Sequence, residues 1–250
     1  MKLRTLTASL ALAAGLGIAP ASQALDLGNL AGGLVNLAKA ATLSDDDAKE
    51  LAFDAAQHMD SQNKIAPPNS PYAKRLARIV KGLNQEDGLA LNFKVYLTKE
   101  VNAFAMANGT VRVYAGLLDA MTDDEVRFVI GHEVGHVKLG HSKKAMQVAY
   151  TASGVRGLAA ASGNQAVAQL SASAIGGFAE ALVNAQFSQS QENEADTYSV
   201  GFMKRHNYPP AAAVSALRKL QALGDGASIL SSHPASSERA AKVESEVAKL

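Results

Sequence analysis

Apolar residues between Thr122 and Ser142 recur at helical spacing. Val126, Val129, Ile130, Val134 and Val137 fall on one face, which predicts a single buried helix over that stretch. Its start is marked by Thr122 and Glu125, a T-x-x-E capping box, with Asp123 and Asp124 in the positive first turn. Further upstream, Ser44 followed by Asp45, Asp46 and Asp47 opens another helix carrying Leu51, Phe53 and Met59. The Pro67-Pro68-Asn69-Ser70-Pro71 cluster then breaks the chain. Ser70 caps the next helix, Pro71 takes its first turn, and Leu76, Ile79, Val80 and Leu83 are its buried side. The period changes from there. Leu91, Phe93, Val95 and Leu97 alternate with Asn92, Lys94 and Tyr96, as in a half-buried strand. Asn108-Gly109 is a two-residue hairpin signal of type I′, and Thr110 to Ala115 is the returning strand. These periods predict an α+β fold, mainly helical, with a small antiparallel sheet beside the 122–142 helix.

Lys143 to Asn184 is rich in Ala, Ser, Gly and Gln. Arg156, Asn164, Gln165, Gln169 and Glu180 make it too polar for a membrane span, so it reads as one or two helices joined around Ser162-Gly163-Asn164. Another helix carries Glu192 and Asp196, and Ala240 to Leu250 forms a short terminal one. The N-terminus has the layout of an export signal: Lys2 and Arg4, an apolar Leu6 to Ile18, and Ser22-Gln23-Ala24 for cleavage after Ala24, with Ala21 as second choice. The apolar core is short for an uncleaved anchor. Residues 1–24 are thus expected to be a signal peptide, 25–43 a tether or weak helix, and 44–250 one domain.

The whole chain has 24 basic and 23 acidic residues. Losing Lys2 and Arg4 with the signal leaves 22 against 23, a net charge near −1. That balance offers nothing to nucleic acid or an anionic membrane surface. With no Cys the chain has no disulfide and no thiol for lipid attachment. No repeat of solenoid length is visible.

The 122–142 helix also carries the chemistry. His132, Glu133 and His136 form an H-E-x-x-H. Two His four residues apart sit about 40° apart around a helix, so both imidazoles reach one metal ion, while Glu133 reaches its open side as a proton acceptor. The metzincin extension needs Gly at 139 and His at 142, where Leu139 and Ser142 stand. His141 is one residue out of register, about 140° round from His136, and is set aside as a ligand. A carboxylate from a second helix would complete three protein ligands and leave a fourth position. Glu192 fits that role, and Asp196, one turn on, would hold the far N–H of a ligand His. Glu194 competes with Glu192 but should face solvent. His58 reads as a surface or packing residue. His233, in the Ser231 to Arg239 stretch, is either a turn residue or a third approach to the metal, plugging the open position or donating to an oxyanion; Arg239 would fix its loop or bind an acid. The sheet is either structural or an edge on which an extended peptide pairs across the metal.

Together, HEVGH, the ENEAD stretch, the Asn102 to Leu118 segment and the terminal HPASSER resemble the HtpX/CAAX-prenyl-protease family of gluzincin metallopeptidases, and within it the periplasmic branch. The resemblance runs from about Ser44 to the C-terminus. It implies one zinc per chain on His132, His136 and Glu192, catalysis by Glu133 with Asp196 as acidic partner, and His233 and Arg239 at the active site. It implies a zinc endopeptidase of the bacterial envelope acting on unfolded or damaged envelope proteins. A competing reading is an envelope chaperone or assembly factor with latent protease activity. Some relatives are outer-membrane lipoproteins, or dock on outer-membrane machinery through a helical-repeat arm. Lacking Cys and repeats, this chain is expected to be periplasmic, with no transmembrane span once cleaved, no nucleic-acid partner, and any membrane association through a partner protein.

Overall fold

The computed structural model describes residues 27–161, 174–224, 227–234 and 237–250. The expected signal peptide and the Ser162-Gly163-Asn164 joint lie outside them. The N-terminal part comprises α1 (Leu27–Thr42), α2 (Asp45–Gln62) and α3 (Pro71–Ile79). Strands β1 (Gln85–Glu86), β2 (Leu89–Ala90), β3 (Asn92–Tyr96), β4 (Ala103–Ala105) and β5 (Thr110–Tyr114) follow. The remainder is helical: α4 (Ala115–Ala120), α5 (Asp123–Lys138), α6 (His141–Ala161), α7 (Ala174–Val183), α8 (Gln189–Arg205), α9 (Ala211–Leu223), α10 (Ile229–Ser232) and α11 (Ser237–Val247). The fold is α+β and mainly helical, as expected.

Four helices start in the same way. The side-chain oxygens of Ser44, Ser70, Thr122 and Ser188 each accept from the backbone N–H three residues on. At Thr122 the box is reciprocal, with Glu125 Oε2 accepting from the Thr122 N–H at 2.8 Å. The helix that begins there ends sooner than its apolar pattern suggested. Gly140, at φ 77°, terminates it, and α6 starts afresh at His141. The 25–43 stretch is no loose tether: α1 spans nearly all of it and packs along α6. On α2 the buried face is made of Ala48, Ala52, Ala55 and Ala56, while Phe53 is exposed. Small residues let that helix sit close to the sheet.

The three-stranded sheet has the order β3-β5-β4. β4 and β5 are antiparallel, as the hairpin signal required, but β3 runs parallel to β5 (Val95 opposite Val113), so the sheet is mixed rather than antiparallel. The chain crosses over between β3 and β4 and the returning strand inserts between them. The turn also differs from expectation. Gly109 has φ 83° but Asn108 stays at negative φ; the Gly109 N–H closes a turn onto the Met106 carbonyl, so the connection is longer than a two-residue type I′ loop. The two adjacent positive-φ residues of that turn type occur instead at Asp87-Gly88, between β1 and β2.

Both faces of the sheet are covered at the end of β3, where Val95 and Tyr96 are buried on opposite faces, whereas Asn92 at its start is exposed. Val95, Val111 and Val113 face the larger core, shared with α3, α5, α8 and α9, while Tyr96, Phe104 and Tyr114 face a second core with α2, α6 and α7. On this second face Asp60 of α2 accepts from both Arg112 Nε (2.8 Å) and Tyr96 Oη (2.7 Å). β4, bonded on one side to β5, lies along α5.

Candidate metal centre

α5 and α8 pack against each other at a distance set by two glycines. A Cβ at Gly131 would come within 2.6 Å of Phe202 and of Ser199 Oγ, and one at Gly135 within 2.9 Å of Tyr198. The Ser199 hydroxyl donates to the Phe128 carbonyl at 2.6 Å, tying the helices together. This approach brings the inward face of α5, with His132, Glu133 and His136, against that of α8, with Glu192 and Asp196. Each of these five residues is at least 96% buried.

Four ligating atoms converge there. His132 Nε2 lies 3.0 Å from His136 Nε2 and 3.3 Å from His233 Nδ1. Glu192 Oε1 is 3.3 Å from His136 Nε2 and 2.9 Å from His233 Nδ1, and Glu192 Oε2 is 3.5 Å from His132 Nε2. A tetrahedral site with bonds of about 2.0–2.1 Å has edges of roughly 3.3 Å, so the spacing and the N/N/O/N donor set fit zinc. Glu133 Oε1 and Glu192 Oε2 have no aligned hydrogen-bond partner; Glu192 Oε2 has the Arg239 charge beside it, while Glu133 Oε1 has only His233 Nε2, at 3.5 Å.

The electrostatics agree. Burial alone would lower the pKa of His132, but the charges of Glu192 and Asp196 outweigh it and push it up to about 10. The Glu192 carboxyl, against its own burial, is held far below the usual range by the imidazoles around it. The cluster therefore stabilises positive charge at its centre. Glu133 is pushed up by burial, with the charges of His233 and His132 opposing. A cavity of about 30 Å³, enough for one water, lies beside Glu133 and His136, walled by Phe104, Met106, Met146 and Phe187.

Around the four atoms the structure places supports. His132 Nδ1 contacts Asp196 Oδ1 at 2.9 Å, and Asp196 receives both Nε and Nη2 of Arg239 at 2.8 Å. Arg239 Nη1 also donates to the Pro234 carbonyl and stands 2.6 Å from Glu192 Oε2, an ion-pair contact without hydrogen-bond alignment. Arg239 thus holds both the loop and the acids. His233 follows α10, whose first N–H donates to the Val101 carbonyl just before β4.

All six residues expected in the site, His132, Glu133, His136, Glu192, Asp196 and His233, are brought together. His58 stays on α2, outside the cluster. Two neighbours were not foreseen. Phe187 stacks on the His136 ring at 3.9 Å between centroids, and its N–H donates to the Ser232 carbonyl. No local pattern marks a lone Phe between two helices. His141, set aside as a ligand, lies outside the four-atom group but touches it: its Nδ1 is 3.0 Å from His136 Nδ1. Glu194 is 54% exposed, yet its Oε2 is 3.2 Å from His141 Nε2.

Two histidines one turn apart on a helix, a carboxylate from a second helix and a glutamate beside them define a metallopeptidase of the gluzincin type. The chain belongs to peptidase family M48, whose description matches residues 71–247. It is 47% identical to metalloprotease LoiP of Escherichia coli K12 over 243 residues, 96% of this chain and 95% of that one. It is 44% identical to metalloprotease YcaL of the same organism over 217 residues, 86% and 85% of the two chains. A beta-barrel assembly-enhancing protease of Yersinia pestis shares 28% identity over 218 residues, 82% of this chain but 42% of that protein. The chain is a metalloendopeptidase. Among the described residues no helix is long and apolar enough to cross a membrane.

Proposed function

We propose that the protein is a zinc endopeptidase of the bacterial cell envelope that hydrolyses peptide bonds in unfolded or damaged envelope proteins. The observation that carries this reading is the convergence of four buried ligating side chains, whose ligand atoms lie within 4.8 Å of one another, with the Glu133 carboxylate beside them. His132, His136 and Glu192 would hold the zinc. When bound, it supplies a Lewis acid that polarises the scissile carbonyl and acidifies water. Glu133, buried beside the cluster, takes the proton of the attacking water and delivers it to the leaving amine. Asp196, gripped by Arg239, keeps the His132 proton on Nδ1 and its Nε2 free for the metal. The outward side of β4 is the edge on which an extended, unfolded peptide pairs, which is why the substrate class is unfolded chain.

The periplasmic location rests on the N-terminal pattern and the family resemblance; a partner in the outer membrane is suggested by likeness to a protease named for enhancing beta-barrel assembly. His233, whose Nδ1 lies 3.3 Å from His132 Nε2 and 2.9 Å from Glu192 Oε1, would close the site and hold it latent; withdrawn, it would donate to the oxyanion. The test is cleavage of casein or an unfolded outer-membrane protein by wild type and Glu133→Gln, each with and without a chelator. Wild type is expected to cleave only without chelator, and the variant at least roughly 10²-fold slower. Equal rates would refute the mechanism, and protection of the client without cleavage would favour a chaperone.

A further inference from the structure

The two ligand histidines on α5 are supported in different ways. His132 Nδ1 meets a carboxylate directly, Asp196 at 2.9 Å. His136 Nδ1 meets another imidazole, His141 Nδ1 at 3.0 Å, and behind it stands Glu194, whose Oε2 is 3.2 Å from His141 Nε2. The row ends at Ser190, whose hydroxyl donates to Glu194 Oε1 at 2.9 Å.

Only one assignment of protons satisfies this row with a metal in place. His136 Nε2 belongs to the four converging atoms and must present a lone pair, so its proton is on Nδ1. That N–H donates to His141 Nδ1, which must then be unprotonated. His141 consequently carries its proton on Nε2 and donates it to Glu194. His141 is 94% buried, so its ring nitrogens depend chiefly on these two partners. Its placement depends on Gly140: the helix stops at Leu139, and the restart at His141 turns the ring back onto His136. Glu194, 54% exposed, is free of the packing constraints that hold Asp196.

We propose that His141 and Glu194 are positioning residues for the metal. Through a two-member relay they fix the tautomer and ring plane of His136, the part that Asp196 and Arg239 play for His132. This rests on the zinc reading above. It adds that one of the two supports runs to the protein surface.

The test compares wild type with His141→Phe, Glu194→Ala and Glu194→Gln. Three quantities are read: zinc affinity by competition with a chromophoric chelator, the visible d–d spectrum of the cobalt(II) form, and the melting temperature of the metal-free protein. His141→Phe keeps a ring in place but offers no acceptor, and is expected to lose roughly 10–100-fold in zinc affinity with an altered cobalt spectrum. Glu194→Ala is expected to move affinity and spectrum the same way by less, with the metal-free melting temperature unchanged because the side chain is exposed. Glu194→Gln keeps an acceptor oxygen and should recover most of that loss. Should His141→Phe prove poorly folded, the Glu194 pair decides. Wild-type zinc affinity and spectrum in Glu194→Ala, or equal losses in Glu194→Ala and Glu194→Gln, overturn the proposal. Absence of zinc binding by wild type would instead refute the zinc reading itself.

Discussion

Glu192 and Asp196 are one helical turn apart, equally buried, and differ in what faces them. Both touch Arg239, but Glu192 oxygens also lie within 2.9–3.5 Å of nitrogens from His132, His136 and His233, whereas Asp196 meets only the far side of His132. Glu192→Ala is therefore expected to lose most of its zinc. Glu194→Ala, purified with excess zinc, should keep nearly one ion per chain even where its affinity is lower; metal analysis of the two proteins checks this, and the opposite order would unseat the ligand assignment. In the function proposed above, His233 stands where substrate would approach the metal. Truncating it should leave that position open to a small hydroxamate, which is expected to bind more tightly to His233→Ala. Turnover should fall by roughly 10²–10³-fold as the oxyanion donor is lost. Unchanged values for both would reduce His233 to a loop residue. The motif residues were legible because helical periodicity alone puts 132 and 136 on one side. His141 was not, since the angular argument assumed a continuous helix through Gly140.

Between elements, the contact that makes the site is α5 on α8, and it rests on absent side chains. A methyl group at Gly131 has no room, because its neighbours, Phe202 and Ser199, are both wholly buried. Gly131→Ala is expected to cost about 1–3 kcal/mol in the metal-free protein and to weaken zinc binding as well, since any relief moves His132 away from Glu192. Denaturant unfolding and zinc titration of the same preparation test the two parts; a variant as stable as wild type would show that the helices have slack. The edge strand was only partly legible. Asn108-Gly109 announced a hairpin, and β4–β5 is one, but the parallel addition of β3 could not be read from alternation, which is blind to strand direction.

On the scale of the molecule, α2 is joined to the sheet by charge as well as by its alanine face. Asp60 takes Arg112 through Nε and Nη2, Lys94 at 2.7 Å and the Tyr96 hydroxyl. Burial would raise its pKa, but these partners hold it down at about 2. The folded value lies below the unfolded one of about 3.9, so the contribution to stability is complete above that value and disappears as pH falls from about 4 to 2. Asp60→Asn is expected to destabilise the protein at pH 7 by about 1–2 kcal/mol once solvent screening is allowed for. The gap between wild type and variant should close between pH 4 and pH 2. Denaturant titrations at several pH values measure it, and a gap independent of pH would show that shape rather than charge joins α2 to the sheet.

Local chemistry is what the sequence by itself determined about this protein. Helix starts at Ser44, Ser70 and Thr122, the break at the proline cluster, the turn at Gly109 and the pairing of His132 with His136 depend on interactions over three or four residues. Those interactions are the same in any fold. The tertiary structure alone decided the direction of β3, the burial of both sheet faces, the approach of α5 to α8 and the row from His136 through His141 to Glu194. Each of these joins atoms from segments that are far apart in the chain or separated by a chain reversal. Their meeting depends on how closely whole elements pack, and no local period encodes that distance.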